Sequence, residues 1–255
     1  MTAGHRVTSL ATVTALVALA TACWILLVQS EAVMATMQGD GLLMHVAMAM
    51  MRPAATVSYL GSTALMWVVM MAAMMTPAVL PVVLTFLRLD RGGRRIDAAL
   101  FAGGYLLAWS GFAILATGLQ WALHRTSLLQ GHLLAASSTL AGILLIAAGV
   151  YQVTPLKTAC LAHCQSPLGF LLSRWQDGPG GALRMGVRHG AYCLGCCWAL
   201  MLLMFVYGVM SAAAMAGLTV FILAERLLPA GPWSAKLPGV ALVVWGLWTL
   251  APGAP

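Results

Sequence analysis

The sequence predicts an all-α fold, a polytopic bundle of about seven transmembrane helices with a cytoplasmic N-terminus. Composition comes first: of 255 residues, 62% are hydrophobic and only 7% charged, with a mean hydropathy of +0.93, which points to lipid as the solvent. Apolar runs of roughly 20 residues, the length a helix needs to cross the hydrocarbon core, recur along the chain. Alternating apolar and polar strands are absent, which argues against a closed barrel, the other fold that satisfies every backbone group in a bilayer.

The first expected span, 10–28, follows Arg6. Ala18-Leu19-Ala20 resembles a signal-peptide cleavage site, but apolar character continues to Val28, so the segment reads as a retained helix. Cys23 within it reads as a small buried apolar side chain. Residues 29–58 are expected as an external loop carrying Met34, Met37, Met44, His45, Met48, Met50 and Met51. There Met44, Met48 and Met51 repeat at i, i+4, i+7, the pattern of an interfacial amphipathic helix or of a copper-capturing face. The second span, 59–87, holds Met66, Met70, Met71, Met74 and Met75, with Met66, Met70 and Met74 on the face that also carries Pro77 and Pro81.

The third and fourth spans, 98–120 and 133–153, flank an external turn with His124 and His132, both read as solvated. A cytoplasmic loop is expected over 154–190, with Cys160, His163 and Cys164 ahead of the breaker Asp177-Gly178-Pro179-Gly180-Gly181. The remaining spans are 191–209, 212–227 and 237–250. Tyr59, Trp67, Trp109, Trp121 and Trp233 read as interface or packing aromatics. With no internal repeat and no soluble part, residues 1–255 form one integral membrane domain.

Loop charge sets the orientation, because Lys and Arg near helix ends stay in the cytoplasm. A cytoplasmic N-terminus places eleven of the 13 basic residues inside: Arg6, Arg88, Arg91, Arg94, Arg95, Lys157, Arg174, Arg184, Arg188, Arg226 and Lys236. Arg52 and Arg125 fall outside. The net charge of +7 is then a signature of topology and calls for no nucleic-acid partner.

The run from His189 to Met204 concentrates the chemistry. As one helix it puts His189, Cys193, Cys196, Cys197, Met201 and Met204 within an arc of about 140°, and Cys193 with Cys196 or Cys197 forms an i, i+3 or i, i+4 pair. Cys160 and Cys164 reach the same thiols if the intervening loop folds back. Met74 and Met201 fall at similar depth, where the two helices could meet. Thiols and thioethers select soft metals, and the Met residues favour Cu(I) over Zn, which the four thiols Cys160, Cys164, Cys193 and Cys196 would otherwise suit. Covalent haem is disfavoured because Cys197, rather than His, follows Cys196. Glu225 is expected at the interface with Arg226 as its charge partner. The carboxylates of a proton relay and the Gly-rich loop of an ATPase are both missing.

Three stretches carry a family resemblance: Trp67 to Pro77 (WVVMMAAMMTP), Tyr151 to Pro167 (YQVTPLKTACLAHCQSP), and Gly195 to Met201 (GCCWALM) followed by Gly208-Val209-Met210 and Glu225. Together they resemble a bacterial family of predicted metal-binding integral membrane proteins, a domain of unknown function sometimes labelled copper chaperone. The resemblance spans about 59–226. It implies a metal-handling membrane protein, with Gln165 standing where the family often has Arg and Arg226 where it has Lys.

The expected function is therefore Cu(I) binding in the bacterial inner membrane, as a chaperone or conduit serving a copper protein or a cuproenzyme assembly system. Cys160, Cys164, Cys193, Cys196 and Cys197 are the primary candidate ligands, with His189, Met70, Met74, Met201 and Met204 secondary. No catalytic residue is assigned. One alternative is a membrane thiol–disulfide oxidoreductase using Cys193 and Cys196 with Cys160 and Cys164 as a shuttle pair; another is a structural zinc-binding assembly subunit. Sulfurs from the two Cys groups within about 4 Å of one another could share an ion.

Overall fold

The computed structural model describes residues 3–36, 41–51, 56–89, 95–131, 133–228 and 232–251; Met37, Arg52, Arg91, Arg94 and His132 lie outside them. The fold is all-α apart from one short hairpin. The helices are α1 (Ala3–Thr36), α2 (Leu42–Met50), α3 (Val57–Leu89), α4 (Arg95–Arg125), α5 (Ser138–Gln152), α6 (Pro155–Gln165), α7 (Pro167–Arg174), α8 (Gly178–Leu202), α9 (Met204–Tyr207), α10 (Ala212–Leu227) and α11 (Pro232–Leu250). Between α4 and α5, β1 (Leu129–Gln130) pairs antiparallel with β2 (Ala135–Ala136).

Among the described residues, four helical segments are long and apolar enough to cross a membrane: Leu10–Thr36, Val57–Leu89, Ile96–Arg125 and Gly178–Tyr207. A fifth results if α5 and α6, bent by 66° at their junction, count as one broken span. This is fewer than the seven expected, and length is the reason. The 16 residues of α10 extend only about 24 Å at about 1.5 Å per residue, short of a hydrocarbon core of about 30 Å. The apolar part of α11, Lys236–Leu250, is similarly short.

Both expected loops are largely helical. Helix α1 runs on to Thr36, and α2 forms from the Met-rich stretch with Met34 and Met50 buried. Residues 154–190 become α6, α7 and the first half of α8. Proline explains the misreading: each of these helices has Pro in its first turn, where no N–H is needed and the fixed φ already suits a helix. At α8 the breaker 177–181 supplies the entry, with Gly178 at φ 79° turning the chain in.

Helix α4 is central, packing on α3 and, most extensively, on α8. Glycines allow the close approach, because small residues let helix backbones touch. A Cβ at Gly186 would overlap the carbonyl oxygen of Phe101, and one at Gly190 would lie 2.7 Å from Ala108 Cβ. Gly186→Val should therefore destabilise the bundle by about 1–3 kcal/mol, the usual scale of overpacking. A melting temperature in detergent equal to that of the parent would contradict this. Helices α5 and α11 use the same device reciprocally: a Cβ at Gly149 would meet Gly239 O at 2.6 Å, and one at Gly246 would meet Gly142 O at 2.8 Å.

All five methionines of the α3 stripe are buried. Helix α3 packs mainly on α1 and α4, while α8 packs mainly on α4 and α6, so α3 and α8 are not side-by-side neighbours. Met74 and Met201 are both buried in one apolar core, and α4 and α10 each touch both helices. Nearer its start, α3 reaches α9 through Trp67, whose ring lies 5.5 Å from Phe205 and whose Nε1 donates to Gln120 Oε1 at 2.7 Å. Trp67 and Trp109 are fully buried packing residues. His124 is half-buried rather than solvated, its ring 6.1 Å from that of Tyr59.

Candidate thiol metal site

A Thr-Pro pair creates α6. Thr154 Oγ1 accepts from Lys157 N at 3.3 Å and donates to Tyr151 O at 2.8 Å, capping the helix that Pro155 begins. The turn lays α6 across α8, which brings Cys164 Sγ to 3.9 Å from Cys196 Sγ. Cys160 sits against Gly195, where a Cβ would come within 2.6 Å of its sulfur. Gly195 is the notch that admits it. The expected fold-back of the thiol segment is thus present, as a helix.

Cys193 has other neighbours. Its sulfur lies 2.9 Å from the Tyr105 hydroxyl and receives a hydrogen bond from Arg226 Nη2. The same guanidinium nitrogen lies 3.5 Å from Cys196 Sγ and 3.9 Å from Cys197 Sγ. The Cys196 and Cys197 thiols also donate back to Cys193 O, at 3.1 and 2.9 Å, a local bond that Cys side chains share with Ser and Thr. All six cysteines are free, and Cys164, Cys193, Cys196 and Cys197 are buried.

Glu225 does not pair with Arg226. Its carboxylate accepts from Lys157 Nζ at 2.7 and 2.9 Å and from the Gln152 amide, while Lys157 also donates to Gln152 Oε1 at 2.5 Å. Lys157 is only 1% exposed. Gln165 adds a bond from its amide to the Glu225 backbone oxygen at 2.8 Å. The end of α10 is therefore held by α6 from both its side chain and its backbone. Adjacent residues on a helix point in different directions, which frees Arg226 to face the thiols while Glu225 faces Lys157.

His189, one turn before Cys193, is fully buried among Tyr105, Phe170 and Phe101, with ring centroids at 5.8, 5.0 and 6.2 Å. Neither of its ring nitrogens has a hydrogen-bond partner among the described residues. His163 stacks on Tyr192 at 4.1 Å. Met201 and Met204 are buried beyond the thiols, Met204 at the start of α9, which follows α8 across the single residue Leu203 with its αR backbone. Arg226, Tyr105, Lys157 and Gly195 belong to the site but are not among the candidate site residues of the sequence reading.

The donor set suits a soft ion. Its donors are sulfurs with the His189 ring beside them, and the Glu225 carboxylate is committed to Lys157. Among the described residues no group of three or more His, Cys, Asp or Glu side chains is arranged to hold a metal ion. Across α6 and α8, Cys164 Sγ and Cys196 Sγ lie 3.9 Å apart, and Arg226 Nη2 is shared by the sulfurs of Cys193, Cys196 and Cys197.

A family model, PpoB2, described as copper chaperone, matches residues 64–249. The chain belongs to that family. The copper chaperone match runs from within α3 into α11 and takes in Cys160, Cys164, Cys193, Cys196, Cys197 and Arg226, leaving out α1, α2 and Cys23. It extends beyond the 59–226 core of the resemblance at the C-terminal side and starts slightly later at the other. No curated protein and no solved structure matches the chain.

Proposed function

We propose that this copper chaperone family member is an integral protein of the bacterial inner membrane that takes up Cu(I) on buried thiols and passes it to a copper protein or a cuproenzyme assembly system. The observation that carries this reading is the placement of Cys164 Sγ 3.9 Å from Cys196 Sγ, across two helices, inside an apolar body. A metal–sulfur bond of about 2.3 Å lets one ion bridge such a pair with small adjustments. Cys160 and Cys193 flank it as exchange partners, Cys197 is further committed to the backbone, and His189 offers unpartnered nitrogens one turn away. Met70, Met74, Met201 and Met204 supply a buried thioether lining. The apolar helices support insertion in a membrane, and the distribution of basic residues supports a cytoplasmic N-terminus.

Metal content of the purified full chain tests this. The parent, loaded with Cu(I) under reducing conditions, should retain copper through gel filtration, Cys164→Ser should lose most of it, and Cys23→Ser should match the parent. Equal copper in Cys164→Ser and the parent would refute the pair as the site.

A further inference from the structure

We propose that Arg226 selects the charge of the metal: it is a built-in counter-cation for an anionic complex in which a monovalent soft ion is held between the thiolates of Cys164 and Cys196. The inference rests on the Cu(I) reading above and adds to it the reason why a monovalent ion is accepted in preference to a divalent one.

The starting point is a buried charge that faces thiol sulfurs and has no carboxylate against it among the described residues. Arg226 is 7% exposed, and its Nη2 faces the sulfurs of Cys193, Cys196 and Cys197. Its Nε and Nη1 find no acceptor among the described residues. The adjacent carboxylate, Glu225, is matched by Lys157. A buried cation without an anion is costly, so the pocket favours a ligand state that brings a negative charge.

Metal binding supplies it, because a thiol must lose its proton to become a ligand. When a monovalent ion replaces the protons of two thiols, both protons leave to water, no electron moves, and the complex carries a single negative charge. With Arg226 beside it, the pocket is neutral. A divalent ion between the same two sulfurs forms an uncharged complex and leaves the guanidinium unmatched. Zn(II) would need a third thiolate to restore the balance. Two thiolates by themselves admit Cu(I), Ag(I) and Zn(II) alike, so at this pair charge separates them in addition to any preference from the thioether lining.

The test measures affinities of the full chain in detergent for Cu(I), Ag(I) and Zn(II) by chelator competition. The parent should bind both monovalent ions more tightly than Zn(II). Arg226→Met should weaken Cu(I) and Ag(I) by about tenfold or more, the scale of a close charge pair in partly screened surroundings, while Zn(II) changes little. Arg226→Lys should stay close to the parent. A purely packing role for Arg226 would weaken all three ions together, and that result overturns the proposal, as does unchanged monovalent binding in Arg226→Met. If Arg226→Met does not fold, the parent decides: Zn(II) binding as tight as Ag(I) binding refutes charge selection. Failure of the parent to bind Cu(I) refutes instead the function proposed above.

Discussion

Replacing Lys157 by Met should destabilise the protein by about 3–5 kcal/mol, the usual cost of stranding one partner of a buried ion pair. Lys157 is buried and donates to both oxygens of Glu225 and to Gln152. Without it, the carboxylate at the end of α10 has only the Gln152 amide as a side-chain donor, in surroundings with little water to solvate it. The double variant Lys157→Met/Glu225→Met should recover most of the loss, because replacing a whole buried pair with apolar residues is often neutral or better. Unfolding in detergent followed by circular dichroism reads both. A single variant as stable as the parent would show that Glu225 does not depend on Lys157.

Cys196→Ser should weaken Cu(I) binding by more than about a hundredfold, since losing even an outer-shell partner of a metal ligand commonly costs about 10–100-fold. Cys197→Ser should have a much smaller effect. The two residues are neighbours in sequence, yet only Cys196 has a sulfur from α6 beside it. Both thiols bond to the Cys193 carbonyl, a bond that a serine hydroxyl can make as well, but Cys197 lies farther from Arg226 than Cys196 does. Chelator competition on the two variants side by side checks this. Equal losses would mean that α8 presents its thiols as an interchangeable pair.

Much of this architecture was readable from hydrophobic length alone. Residues 212–227 were expected as a spanning helix; a helix forms with those bounds as α10 but is too short to be a candidate span. The breaker 177–181, read as part of a loop, contains Pro179, and proline begins helices as well as ending them: Pro155, Pro167 and Pro179 each stand in the first turn of a helix. The approach of Cys164 to Cys196 was foreseeable from their chemistry once the segment was imagined folding back. The role of Arg226 was obscured by assigning it to its sequence neighbour Glu225, although residues one apart on a helix do not face each other. Lys157 gave no warning because a lysine beside a predicted span reads as a solvated loop charge. The pairing of α5 with α11 through Gly142, Gly149, Gly239 and Gly246 rests on partners far apart in the chain, which spacing within one helix cannot name.

Cys193, Cys196 and Cys197 ride on α8, which glycines press against α4, whereas Cys164 rides on α6, and α6 is tied to α10 by Lys157 and Gln165. The thiol pair thus spans a seam between two bodies. A slide of one body along the other, the shear type of motion available to packed helices, opens or closes the gap between Cys164 and Cys196 while the spacing within the α8 trio stays fixed. Arg226 belongs to α10, on the Cys164 side of the seam, and its Nη2 reaches across to the Cys193 sulfur on α8. On the Cu(I) reading proposed above, such a slide would change the two-sulfur seat of the ion and the position of its countercharge together.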